Sequence, residues 1–483
     1  MRSLLTLLLL CLTCLPRAWA QSMLPDLGDA SSNVLSPQME RRIGESIARD
    51  IRQRDPDYVD DPELSEYLTS LGGKLTSASR DIRSDFEFFA IRDPSINAFA
   101  LPGGFIGVNT GLITAADTES EIASVLAHEI SHVTQRHIAR QFGQQQQAQL
   151  PTMVAMVAAI IAARSRPDLA SGAAMAAQGS AIASQLGYSR DFEREADRIG
   201  FQTMTSAGFD PRGMSAFFEK LQRTHRIMDD GSAPGYLRTH PLTLERISEA
   251  QNRAQTAGYR QHVDSLEFHL LRAKLRAQSG DSRDAVNYFR AVVRDGRYAN
   301  EAAARYGLVS ALFRNKELPQ AQAEFNLLRA LAPRSPMIET LSARLLAASG
   351  DSVGALAQLR QGLQRFPYSR ALSYALTQTL MDAGRVTEGM AMITEQIRLY
   401  PRDPQLLALR ARGFAMQGKR LLQHQTLAEY QVLQGNLALA VEQLQLAQTA
   451  GDGDFYELSV VDARLKQLRA LLAAEMKQRR DSR

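Results

Sequence analysis

Cysteine is almost missing from this 483-residue chain: Cys11 and Cys14 are the only two, and both lie within its first twenty residues. A chain trimmed after that segment has no disulfide and no thiol, which excludes a disulfide-stapled scaffold and cysteine-based catalysis. Long apolar runs are also lacking. Leu4–Leu15 and Met153–Ala163, the latter followed by Arg164 and Arg166, fall short of the roughly 20 residues a stable bilayer span needs. Nor does one sign of charge prevail, with 56 basic residues against 52 acidic ones and only 54 basic once Arg2 and Arg17 are set aside. Nothing in that balance calls for a nucleic-acid partner.

What remains has the composition of an ordinary soluble protein, 45% hydrophobic and 22% charged, long enough for two or more domains. The first twenty residues differ in kind. Arg2, the Leu-rich run, Pro16-Arg17 and Ala18-Trp19-Ala20 form a positive start, an apolar stretch and a small-x-small cleavage signal. We expect a signal peptide over residues 1–20, with Gln21 as the first mature residue. Lipid attachment at a cysteine fits poorly, because Leu8-Leu9-Leu10 and Cys11-Leu12-Thr13 lack the small residues it needs.

Ser36-Pro37 opens a helical pattern through Ile43, Ile47 and Ile51, and Asp61-Pro62 opens another through Leu64, Tyr67, Leu68 and Leu71. Both read as packing helices on the outside of a core. Strands are expected over Phe86–Ile91, Asn97–Leu101 and Phe105–Val108, the last two joined by Pro102-Gly103-Gly104. The sheet edge around Asn97, Ala98 and Phe99 is a candidate for pairing with an extended peptide, and Gly103 and Gly104 would let backbone approach a metal closely. An ordinary hairpin is the plainer reading.

Thr118 and Glu121 suggest a capping box for a helix running to about Arg140. It carries His128-Glu129-Ile130-Ser131-His132. Residues four apart share a helix face, so His128 and His132 can offer two imidazoles to one zinc ion, with Glu129 placed to take a proton from water. On a continuous helix His137 would lie about 140° further round and point elsewhere. A third ligand is sought in Ser189–Asp197, where Glu193 and Asp197 share a face and Glu195 is turned by about 200° from Glu193. Spacing alone leaves Glu193 as ligand and a solvated acidic face both open. The Gln- and Ala-rich stretch 141–185 reads as a helical hairpin over the site, with a lid or peripheral membrane contact as the sharper alternative.

His128-Glu129-x-x-His132 followed by Glu193-x-x-x-Asp197 resembles the gluzincin metallopeptidases of the prenyl-protein-protease and membrane-stress-protease type. Asn97-Ala98-Phe99-Ala100 before Pro102-Gly103-Gly104, and Thr239-His240-Pro241 before Arg246-Ile247, extend the resemblance over about residues 36–250. It implies one Zn²⁺ on His128, His132 and Glu193, Glu129 as the base, and Asp197 orienting a ligand imidazole. It also implies that His240 can occupy the fourth zinc position and hold the enzyme latent; the plainer readings are a loop histidine stacked on Pro241 or one that stabilises the transition state. Arg246 would then be a structural or carboxylate-pairing residue rather than a catalyst.

From about Ser265 the pattern becomes periodic. Pro333, Pro367 and Pro401 repeat every 34 residues, as do Gly350, Gly384 and Gly418, the spacing of tetratricopeptide repeats. Small residues five after the turn, Ala285, Ala355, Gly389 and Ala440, hold the register, whereas Lys316 and Gln423 depart from it. About four repeats and a capping helix to about Met476 are expected. The fold class is therefore α+β: a mostly helical zincin-type metallopeptidase domain with a small sheet over 21–260, then an all-α repeat solenoid over 261–483. Secreted gluzincins with such an array imply a periplasmic zinc endopeptidase in quality control and assembly of outer-membrane β-barrel proteins. Its expected partners are barrel precursors and the barrel-assembly machinery. The alternative is a chaperone or scaffold with a mostly latent peptidase site.

Overall fold

The computed structural model describes residues 35–79, 85–144, 189–227, 235–331 and 333–481. The expected signal peptide, and nearly all of the 141–185 stretch, lie outside them.

Helix α1 (Pro37–Arg54) starts where the Ser36 hydroxyl accepts from the Met39 N–H, with proline pre-set at the first position. Strand β1 (Tyr58–Val59) leads to α2 (Pro62–Ala78), capped by Asp61, which accepts from the Glu63 and Leu64 N–H groups. Strands β2 (Glu87–Ile91), β3 (Ala98–Leu101) and β4 (Phe105–Asn109) complete a four-stranded sheet in the order β1-β2-β4-β3. Parallel β2 and antiparallel β3 flank β4, whose five residues are all buried. Alternation then sorts the side chains. Phe89, Ile91, Leu101 and Phe105 face Ile47 and Ile51 of α1, while Phe88, Ala90, Ala98, Ile106 and Val108 join the main core.

A short α3 (Thr110–Ala115) precedes α4 (Glu119–Thr134), whose Thr118 hydroxyl accepts from the Glu121 N–H. The Glu121 carboxylate reaches back to the Asp117 N–H. The helix does not continue to Arg140. It ends at Thr134, and Arg136 takes a left-handed φ of 52° before α5 (His137–Gln144) begins in a new direction. Helices α6 (Arg190–Ser206), α7 (Arg212–Ile227), α8 (Gly235–Thr239) and α9 (Leu244–Ala257) follow. A Cβ on Gly200 would sit 3.0–3.1 Å from the Ala127 and His128 backbone, so α6 crosses α4 at very close range.

Twelve further helices form six consecutive hairpins, two more than the spacing suggested: α10 (Leu266–Gln278), α11 (Ser282–Arg294), α12 (Glu301–Arg314), α13 (Leu318–Ala330), α14 (Pro336–Ala348), α15 (Ser352–Arg365), α16 (Arg370–Asp382), α17 (Val386–Leu399), α18 (Pro404–Met416), α19 (Arg420–Leu433), α20 (Leu437–Gln448) and α21 (Phe455–Asp481). Lys316 turns the second hairpin, at φ 63°, in the slot where the others use glycine. Nor is α2 an outer layer. Helices α10 and α16 pack on it, with Lys274 of α10 paired to Glu63 at 2.6 Å and Glu66 accepting from the Arg370 and Ala371 N–H groups of α16. No described helix is long and apolar enough to cross a membrane.

Candidate metal centre

Helix α4 is buried all round, so its polar residues His128, Glu129 and His132 sit in the interior rather than on a wet face. One helical turn apart, the two imidazoles bring their Nε2 atoms to 2.9 Å. Glu193 arrives on the first turn of α6, with Oε1 at 3.4 Å from His132 Nε2 and Oε2 at 3.5 Å from His128 Nε2. His240 closes the group from the end of α8, its Nδ1 at 2.9 Å from Glu193 Oε1 and 3.3 Å from His128 Nε2. All four are at most 1% exposed.

Asp197, one turn after Glu193, places Oδ1 2.9 Å from His128 Nδ1, on the side of the ring away from the cluster. Arg246 of α9 clamps Asp197 with two bonds of 2.7 and 2.8 Å and reaches Glu193 Oε2 at 2.7 Å. Glu129 lies beside the group, with Oε1 3.4 Å from His240 Nε2.

Burial and charge set the protonation of these groups. Burial opposes ionisation of Glu193, yet His240, His128 and His132 hold its carboxyl well below the usual range. Burial alone would depress His128, but Asp197 and Glu193 push it up to about 9. His132 is driven well down by burial, and burial raises the Glu129 carboxyl.

This donor set fits a metal ion. One ligand atom from each of His128, His132, Glu193 and His240 lies within 4.8 Å of the others. Two imidazole nitrogens at 2.9 Å need a proton or a cation between them, and both Glu129 oxygens are buried without a well-aligned hydrogen bond. Imidazole nitrogens and a carboxylate oxygen are the donor types that zinc takes.

The family model for peptidase family M48 matches residues 62–254, and a tetratricopeptide repeat model matches 346–413. Over 453 residues the chain is 30% identical to the beta-barrel assembly-enhancing protease of Yersinia pestis, covering 94% of this chain and 93% of that one. The chain belongs to the β-barrel assembly-enhancing protease group of peptidase family M48. It is a metalloendopeptidase, as that family is. A Vibrio cholerae protein is 36% identical over 291 residues, 59% of either chain. The mitochondrial metalloendopeptidase OMA1 of Arabidopsis thaliana is 29% identical over 222 residues, 46% of this chain and 42% of that protein.

The other residues singled out in the sequence lie on the sheet that the M48 centre adjoins. Ala98 is fully buried, Phe99 packs edge-on to Phe89 at 5.9 Å, and Asn97 is buried with both side-chain amide atoms unpartnered. Gly103 does not serve an approach to the histidines. A Cβ there would meet the Arg41 Cα at 2.4 Å, so its small size lets the β3–β4 turn close on α1. His137 does not point elsewhere: the break at Arg136 swings it back until its Nδ1 lies 2.8 Å from His132 Nδ1. Only the left-handed turn brings it there, and a non-glycine residue gives no sequence signal for such a turn.

Proposed function

We propose that this M48 peptidase uses one zinc ion held by His128, His132 and Glu193, and that it acts in the cell envelope on outer-membrane β-barrel precursors. The observation that carries the reading is the convergence of these three donors with Glu129 beside them in the same buried pocket. A zinc ion bound there supplies Lewis acidity, polarising the scissile carbonyl and acidifying water. Glu129, with its carboxyl raised by burial, takes the proton of the attacking water and hands it to the leaving amine. Asp197 holds the His128 ring, and Arg246 holds Asp197. Extended substrate adds to the β3 edge, where Asn97, Ala98 and Phe99 lie, with the turn at Gly103 and Gly104 closing that strand.

His240 is the regulatory residue in this reading: its ring stands within the donor group and restrains the enzyme until it withdraws. The division into a leader at 1–20, a peptidase at 21–260 and a repeat domain at 261–483 is part of the same proposal. The repeats would dock precursors or the assembly machinery, in keeping with the naming of the Yersinia relative. The leader-like start supports secretion into the periplasm.

Metal analysis and casein cleavage on three proteins test the scheme. Wild type should hold one zinc per chain, Glu129→Gln should keep the metal and lose activity by several orders of magnitude, and His240→Ala should cleave faster. A His240→Ala protein that keeps zinc but is inactive would replace restraint with a direct part in catalysis. In cells, a Glu129→Gln variant that retains the full role would favour a latent scaffold instead.

A further inference from the structure

Beyond His128 and its Asp197 partner, the second imidazole of the centre has a support of its own. His132 presents Nε2 to the cluster, so its Nδ1 faces the opposite way, and there it meets Nδ1 of His137 at 2.8 Å. His137 is fully buried, and its ring lies flat on Phe192, centroids 4.6 Å apart with 14° between planes. Its far nitrogen, Nε2, is 3.1 Å from Glu195 Oε2. Arg140 binds the same oxygen at 2.8 Å, and its guanidinium also lies over the Phe192 ring, 4.7 Å from the centroid.

We propose that His137 is a positioning residue for the metal centre: with Glu195 it selects the tautomer of His132 that leaves Nε2 free to bind a cation. The logic is donor counting. An ionised carboxylate only accepts, so the His137 nitrogen facing Glu195 carries the hydrogen. A neutral imidazole then has a lone pair on its other nitrogen, and His137 Nδ1 accepts from His132 Nδ1–H. A histidine protonated on Nδ1 has its lone pair on Nε2, the atom turned towards Glu193. The relay also ties α5 to α6, because Glu195 stands two residues after Glu193 and Phe192 one before it. Both proposed ligand helices are thus registered through one imidazole.

This inference rests on the metal-centre reading, and its test separates the two. Zinc affinity is measured by competition with a chromogenic chelator on wild type, His137→Phe, His137→Gln and Glu195→Ala. Phenylalanine keeps the stack on Phe192 but cannot accept a hydrogen bond, so His137→Phe should lose about 10- to 100-fold in affinity. Glutamine can accept from His132 and donate to Glu195, so His137→Gln should stay within a few-fold of wild type. A mere packing role predicts the reverse order, and that order would overturn the proposal. Glu195 is partly exposed, so Glu195→Ala should fold whatever becomes of the His137 variants. ¹⁵N spectra of histidine-labelled, metal-free Glu195→Ala should show His132 as mixed tautomers where wild type shows Nδ1–H. An unchanged His132 tautomer with unchanged affinity also overturns the relay. A wild type that bound no zinc would overturn the metal centre and the relay together.

Discussion

Arg246 answers two buried carboxylates at once, Asp197 through a two-bond clamp and Glu193 through its remaining nitrogen. Taking away one side of such a buried arrangement strands charge in the interior, at a cost of about 3–5 kcal/mol. Arg246→Ala should therefore be destabilised by about that much in chelator-treated protein, read from urea unfolding at neutral pH. Lysine, which cannot form the fork, should recover only part of it. Burial would raise the Asp197 carboxyl, but Arg246 and His128 hold it below its usual value. Its contribution is therefore present above the unfolded carboxylate pKa and lost as pH falls through the lower folded value, so the gap between wild type and Arg246→Ala should close in acid. The sequence reading left Arg246 either structural or paired with a carboxylate; that it holds two carboxylates is revealed only by the packing of α9 on α6.

Among the helices, α4 and α2 show how far local pattern reaches. The capping residues at Ser36, Asp61 and Thr118 mark their helix starts, since a side-chain oxygen next to free N–H groups is a local event. The end of α4 was not legible, because an arginine in left-handed backbone gives no warning; its guanidinium is held by Glu40 and by the Leu35 carbonyl, from a hundred residues away. Helix α2 is similar: its apolar face was plain, but its charged N-terminus turns out to anchor the array. Lys274 is buried between Asp61 and Glu63 at 2.5 and 2.6 Å. Burial would lower its pKa, and the two carboxylates raise it above 10.5. That stabilisation is complete below the unfolded value and is lost as pH rises through the folded one. Lys274→Met should cost about 3 kcal/mol in thermal unfolding at pH 9, and the difference from wild type should shrink as pH passes 10.5.

At the scale of the whole molecule, one apolar core runs from Val59 and Leu64 through the sheet and α4 to Leu341 and Leu345 of the third hairpin. The peptidase half and the first repeats therefore share their interior, and Phe268 and Leu271 of α10 are fully buried in it. Calorimetry should record the two unfolding in a single transition, and a chain stopped near residue 260 should expose that face and aggregate. Separate transitions would show that the array folds by itself.

What the sequence determined alone is whatever depends on neighbours along the chain: the two imidazoles one turn apart with Glu129 between them, the helix caps, and the 34-residue period of the array. Tertiary structure decided what depends on approach. Glu193 and Asp197 reach His128 because Gly200 lets two helices touch, and His137 reaches His132 because the helix breaks at a left-handed Arg136. Helical periodicity fixes angles around one axis, whereas a site assembled from three helices depends on the distances between axes, which side-chain volume and backbone turns set only once the core has closed.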